Sequence, residues 1–356
     1  MRNKLSLLWL LAMPTVAQQP PIRHVFTIVL ENKSFDETFG PNSPAPYLSR
    51  QLTAQGELLT NYYAIGHNSL DNYIALVSGQ APNIATQSDC QVYLDFIPGA
   101  LLQVDINGQV LGQGCVFPAG VQTIANQFAA RQLSWRAYME DMSSNCLHPA
   151  LNTLDQTQTA KVGDQYAARH NPFVYFHSII DTPSCAAGDV PLAQLPGDLS
   201  QYATTPNYVF ITPNLCHDGH DSPCVNGEPG GLVSADAFLR QWVPQILASP
   251  AYQSDGLLLI VFDEAEFGAS NTDTTACCNE LPGPNSPLPG ITGPGGGRVG
   301  AVVLSPFVPP GTVAATPYNH YSLLRTIEDI FGLDHLGFAA QPGLKSFGLD
   351  VFLSIP

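Results

Sequence analysis

The sequence predicts an α/β fold with a mostly parallel central sheet flanked by helices, and three observations carry that expectation. Of 356 residues, 45% are apolar and only 12% charged, enough for a substantial core and too little charge for a disordered chain. Apolar runs of strand length at residues 25–30, 58–64, 134–139, 173–178, 208–212, 257–262 and 301–304 alternate with helical or loop segments, the order that lays helices across a parallel sheet. The 30 glycines and 31 prolines demand long loops, which excludes coiled coils and helical solenoids.

Residues 1–17 read as a secretory leader. Arg2 and Lys4 precede the apolar run 5–13, and Thr15, Val16 and Ala17 supply small residues for cleavage before Gln18. The run is shorter than the roughly 20 residues that span a bilayer, so no stable membrane insertion is expected. Loss of the leader removes two of the 13 basic residues and none of the 29 acids, taking the charge from −16 to −18. A surface so acidic repels nucleic acid. The expected location is secreted or periplasmic.

Residues 18–356 read as a single domain with inserted loops at about 81–120 and 268–297, the second dense in Gly, Pro, Asn and Thr and long enough to be functional. Helices are expected at 69–78, 121–131, 234–247 and 320–331, the last with Leu323, Leu324, Ile327, Ile330 and Phe331 on one face. Eight cysteines in an exported chain imply disulfides, with 105 possible pairings. Cys90 is expected to pair with Cys115, because the two bracket a segment, 104–110, in which Asn107-Gly108 between apolar residues signals a hairpin. A thiolate zinc site is disfavoured, since no CxxC pair exists and Cys277 and Cys278 are adjacent.

Sites in open α/β sheets form beyond the carboxyl ends of strands. The run 25–30 ends in Glu31-Asn32, 58–64 leads to His67, Asn68 and Ser69, 208–212 leads to Asn214, His217, Asp218, His220 and Asp221, and 257–262 ends in Asp263-Glu264. One such ending is an ordinary turn or cap. Four with carboxylates, amides and imidazoles make a metal or phosphate site. Glu31, Asn32, Asp263 and Glu264 offer hard oxygen ligands to a divalent cation. Ser69 precedes a helical run, as a nucleophile or an N-cap residue would. His217, His220 and His320 supply imidazoles, and Arg298 a positive charge for an anionic substrate. No GxSxG elbow, HExxH or P-loop occurs, and Gly295-x-Gly297-x-x-Gly300 precedes a strand where a dinucleotide motif follows one.

The run Val29-Leu30-Glu31-Asn32-Lys33-Ser34-Phe35-Asp36 resembles the ENRSFD signature of the phosphoesterase family of the alkaline-phosphatase-like superfamily, with Lys33 in place of Arg. His67-Asn68-Ser69-Leu70-Asp71-Asn72-Tyr73 through Ser78-Gly79 is similar to the superfamily's nucleophile segment, with Asp71 in place of Pro. Further similar blocks are residues 135–142, 212–214, 220–221, 262–264, 298–299 and 318–325, in family order. The resemblance implies an alkaline-phosphatase-like fold and a metal-dependent phosphoric-ester hydrolase of acid-phosphatase type, working through a phosphoserine. It implies Ser69, His217, His220 and His67 in catalysis, one divalent metal of open identity on Glu31, Asn32, Ser69, Asp263 and Glu264, and Asn32, Asn72, Asp221, Arg298 and His320 on substrate. The short stretch beyond Leu333 points to the acid-phosphatase branch. A phospholipase C or other phosphodiesterase, and a non-catalytic exported metal-binding protein, are the alternatives. A His217 or His220 acid with the ordinary pKa of about 6.5 implies an acidic pH optimum. Few bulky apolar residues in 268–297 and the acidic surface imply small, soluble phosphate esters as substrates, while the oligomeric state stays open.

Overall fold

The computed structural model describes residues 21–99, 103–268 and 272–353, so the leader expected at 1–17 lies outside the described residues, as do short parts of both expected inserted loops. The described residues form an eight-stranded sheet from β1 (His24–Leu30), β2 (Glu57–Leu59), β3 (Trp135–Met139), β4 (Asp189–Pro191), β5 (Tyr208–Thr212), β6 (Gly256–Phe262), β7 (Ala301–Leu304) and β8 (Thr312–Ala314), in the order β8-β2-β7-β6-β1-β5-β3-β4. β7 alone runs against the rest. The central β1 and β6 are buried along their whole length, which is why both read as continuous apolar runs without alternation.

Register delivers the site. Leu30 pairs with Phe262 and Ile28 with Ile211, so Glu31-Asn32, Asp263-Glu264 and the chain after Thr212 leave the sheet side by side. The four expected helices are present as α1 (Ser69–Ser78), α2 (Ile124–Ala130), α3 (Gly231–Ala248) and α4 (His320–Phe331). α1 packs on α4, which buries Leu323, Leu324 and Ile327. Gly79 ends α1 in the left-handed conformation, φ 66°, where an added Cβ would meet the Leu336 carbonyl oxygen at 2.2 Å.

Two strand expectations need correction. Residues 58–64 split into β2 and a two-residue strand, Tyr62–Tyr63, that pairs with Tyr318–Asn319 outside the main sheet. Residues 173–178 are no strand: they form the 3-10 turn Pro172–Tyr175 and the helical turn His177–Ile180. Pro172 sits at the first helical position with its φ preset, and the aromatic residues are buried on all sides, where periodicity cannot separate turn from strand. The three-residue strands β4 and β8 are too short to leave a pattern.

Cys90 pairs with Cys115 as expected, around a bridge between Val104 and Val110. Cys146–Cys185, Cys216–Cys224 and the adjacent Cys277–Cys278 complete the set, leaving no free thiol. Among the described residues no helix is long and apolar enough to cross a membrane.

Candidate active site

Glu31 leaves β1 fully buried, its Oε2 accepting from Ser69 Oγ at 2.7 Å and its Oε1 from the Tyr73 hydroxyl at 2.5 Å. Asn32 follows with φ 50°, a left-handed conformation that Asn tolerates better than most residues. Its N–H donates to Asp263 Oδ1 and its Nδ2 to Glu264 Oε1, each at 2.9 Å. Asp218 joins from the β5 side: its carbonyl accepts the Glu31 N–H at 2.8 Å and its Oδ1 the His220 N–H at 2.9 Å.

Four carboxylates, Glu31, Asp218, Asp263 and Glu264, are thereby buried together. Burial, and then repulsion from Asp263 and Asp218, pushes Glu31 well above the usual carboxylate range. Asp263 is pushed up by burial and then by Glu264, and burial lifts Asp218 to about 7. Asn32 Oδ1, Asp218 Oδ2 and Asp263 Oδ2 are buried without hydrogen-bond partners. Unpartnered acceptors among crowded carboxylates are the donor set a hard divalent cation requires, so the residues fit one.

Ser69 is the first residue of α1, and Asn68 holds the N-cap position with φ 71°. The Asn68 N–H donates to Glu264 Oε2 at 3.2 Å, and its side-chain amide to the Gln87 carbonyl. The Leu70 N–H donates to Asp89 Oδ1 at 2.9 Å, so Asp89 takes the capping role and leaves the Ser69 hydroxyl to Glu31. Asn72 is committed to the loop before the helix, its Oδ1 accepting from the Ile65 and Gly66 N–H groups at 2.9 and 3.0 Å.

The imidazoles divide by environment. His67 is fully buried between the Glu264 carboxylate and the Asp273 carbonyl, and burial draws its pKa down to about 4. His320 is likewise lowered by burial to about 4, its Nε2 on the Asp263 carbonyl at 2.6 Å and its Nδ1 on the Tyr62 hydroxyl at 2.9 Å. His217 lies between Glu140 at 2.9 Å and Glu228 at 3.2 Å. His220 is half exposed, its Nδ1 3.9 Å from Asp221. Arg298 lies over the Phe35 ring and pairs with Asp36 at 3.0 Å, away from the buried carboxylates in its bonding.

Three residues at the site escaped sequence reasoning. His170 is buried with both ring nitrogens unpartnered, Nε2 3.5 Å from Glu31 and Nδ1 3.7 Å from Asp218, and its ring stacks on Tyr73 at 5.3 Å. Arg169 is buried with Nε 3.7 Å from Asp89, bringing a cation to the Ser69 end of α1. Tyr73 holds Glu31. The polar run Arg169-His170-Asn171 was the available signal, but it precedes the apolar stretch 173–178, and a strand there would have placed its site at the other end.

Burial pulls His217 down, but the Glu140 and Glu228 carboxylates on its two nitrogens outweigh that and raise it to about 9. A pKa raised above the unfolded value of about 6.5 gives stability that is full below pH 6.5 and lost as pH rises through the folded pKa. The melting-temperature gap between wild type and His217→Gln is therefore expected to be widest at pH 6 and to close above pH 9. A gap constant across thermal melts in that range would show that the ion pairs contribute nothing.

The chain is 27% identical over 313 residues to a phosphate-repressible acid phosphatase of Penicillium chrysogenum, covering 87% of this chain and 59% of that protein. It is 26% identical over 337 residues to a phosphatidylinositol-3-phosphatase of Mycobacterium tuberculosis, covering 94% of this chain and 86% of the relative. Among solved structures, a phosphonate monoester hydrolase of Silicibacter pomeroyi shares the fold, with a TM-score of 0.54 at 12% identity over 94% of this chain and 77% of that one. An alkaline-phosphatase-superfamily protein of Vibrio parahaemolyticus does so with a TM-score of 0.50 at 12% identity over 92% and 73%. The phosphoesterase family model matches residues 42–334, and the chain belongs to that family.

Proposed function

We propose that this protein is an exported, metal-dependent phosphomonoesterase of acid-phosphatase type that works through a phosphoserine on Ser69. One observation carries the reading: the Ser69 hydroxyl, freed from capping, donates to Glu31 at 2.7 Å beside three further buried carboxylates. Glu31, Asn32, Ser69, Asp263 and Glu264 would hold the cation, which when bound supplies Lewis-acid stabilisation of phosphoryl charge. Ser69 Oγ attacks phosphorus as its proton passes to Glu31, and the phosphorus–ester oxygen bond breaks. Water then cleaves the phosphoserine, releasing phosphate and restoring the hydroxyl. Export is supported by the four disulfides and the leader-like residues 1–17.

His220 protonates the leaving oxygen. Burial lowers its pKa, and Arg169 and Lys33 add to that against Asp221, so its imidazolium is a stronger acid that is populated toward acidic pH. His217, held by two carboxylates, keeps its proton to about pH 9 and does not account for an acidic optimum.

Ser69→Ala should lose at least 10³-fold in kcat with p-nitrophenyl phosphate, about 4 kcal/mol of transition-state stabilisation, and chelation should abolish wild-type turnover reversibly. Retention of more than a tenth of the rate in a folded Ser69→Ala protein, or turnover by protein free of metal in elemental analysis, removes this mechanism. His220→Asn should slow an alkyl phosphate, whose leaving group needs a proton, at least tenfold more than p-nitrophenyl phosphate. Equal losses on the two esters would take His220 out of that role.

A second reading, hydrolysis of a phosphomonoester with an apolar leaving group, is favoured by an open groove of about 660 Å³ lined by Ile84, Val92, Leu94 and Ile97. Ala85 and Ser88 also line it, on the segment whose Gln87 and Asp89 bind the loop and helix around Ser69. The expectation of small soluble substrates did not anticipate it. If the groove serves substrate, Ile97→Asp lowers kcat/KM for a long-chain alkyl phosphate at least fivefold and leaves p-nitrophenyl phosphate unchanged. Parallel behaviour of the two esters keeps the soluble-ester reading.

A further inference from the structure

A second set of buried acids lies on the other side of the nucleophile helix. Ser69 and Asp71 are two positions apart on α1 and so point about 200° away from each other. Ser69 faces Glu31, while Asp71, with no exposed surface, has both carboxylate oxygens without a hydrogen-bond partner. The Asp71 carboxylate rests against Gly66, where an added Cβ would stand 2.5 and 2.7 Å from its two oxygens. Glu280 Oε1 is buried and unpartnered, while its Oε2 is oriented by Asn319 Nδ2 at 3.3 Å. Tyr321 on α4, 1% exposed, has an unpartnered hydroxyl and feels the charges of both Glu280 and Asp71. Ile65, Ala75, Phe338 and Leu344 pack with Tyr321 as an apolar wall.

No Lys, Arg or His pairs with either carboxylate among the described residues. Leaving two carboxylates charged and unpaired in such surroundings is costly. A cation relieves that cost, and two carboxylates with a phenolic oxygen form a hard, all-oxygen donor set whose charge matches a divalent ion.

We propose that Asp71, Glu280 and the Tyr321 hydroxyl form a second divalent-cation site, structural in role, that ties α1 to α4 and to the loop carrying Glu280. It is separate from the cation proposed at Glu31 and does not depend on the hydrolytic reading.

The test uses the full chain, stripped by chelation and reloaded with Ca2+ or Mg2+ in separate experiments, with bound metal counted by elemental analysis and melting followed by calorimetry. Wild type should retain two ions per chain, Asp263→Asn one, and Glu280→Gln one. The Asp263→Asn protein should still gain about 5 °C in Tm at an ion concentration about 100 times Kd, a gain that Glu280→Gln lacks when Asp263→Asn is also present. Tyr321→Phe replaces Glu280→Gln if the latter fails to fold, and should weaken retention of the second ion at least tenfold. A single ion in wild type that is lost with Asp263→Asn and indifferent to Glu280→Gln overturns the proposal. A single ion lost with Glu280→Gln but kept by Asp263→Asn supports this site and removes the metal from the proposed hydrolytic centre.

Discussion

Mutual repulsion among four buried carboxylates, Glu31, Asp218, Asp263 and Glu264, is the constraint around which the carboxyl edge of the sheet is organised. Two charges about 4 Å apart repel by about 4 kcal/mol at an effective dielectric of about 20, so such a group does not assemble without strong enforcement. The enforcement is covalent and topological. β1 and β6 are adjacent, parallel and in register to their last residues, which obliges Glu31 and Asp263 to emerge together whatever their charges prefer. Hydrogen bonds then trim the repulsion: Ser69 and Tyr73 donate to Glu31, and the backbone N–H and side-chain amide of Asn32 donate to Asp263 and Glu264. None of these donors carries a full positive charge. The formal imbalance persists, which is the physical case for a cation at this edge.

The legible part of the site was the part that strand chemistry exposes. Glu31, Asn32, Asp263 and Glu264 each follow an unbroken apolar run, so a rule about strand ends found them directly, and Ser69 was visible as the residue opening a helix. Tyr73 was hidden inside an α1 whose other residues are also buried, where nothing distinguishes a hydroxyl aimed at a carboxylate from a core aromatic. His170 and Arg169 were hidden by the misreading of 173–178. Once that stretch is a turn in place of a strand, polar residues before it become as eligible for the site as residues after it. Asp71 and Tyr321 could not be grouped in sequence, because they lie on α1 and α4, which meet only through packing, and Glu280 lies on a loop outside both.

The inserted segment 81–120 does more than decorate the fold. Its Gln87 and Asp89 bind the Asn68 side chain and the Leu70 N–H, so the conformation of the loop leading to Ser69 depends on residues well outside it. The Cys90–Cys115 bridge begins one residue after Asp89 and closes the following part of the segment into a loop. Arg169 holds the other side of Asp89. A serine loop, a disulfide-closed insertion and a buried arginine therefore behave as one mechanical unit.

That unit bears on the choice between a capping serine and a reactive one. A helix whose first residue is serine ordinarily gains about 1 kcal/mol when a neighbouring hydroxyl accepts a backbone N–H, and the local sequence around Ser69 is compatible with such a role. Here the N-cap position belongs to Asn68, whose side chain is spent on Gln87, and the free backbone donors are met by Asp89 and Glu264. Both of those partners come from distant parts of the chain. Recruiting the buried Glu264 and the partly buried Asp89 to cap a helix that could have capped itself costs desolvation, and its local consequence is a Ser69 hydroxyl left to donate to Glu31. Donation to Glu31 would ease carboxylate repulsion in a structural serine as well, but leaving the hydroxyl out of the cap also leaves it in place to surrender its proton, as the proposed nucleophile must.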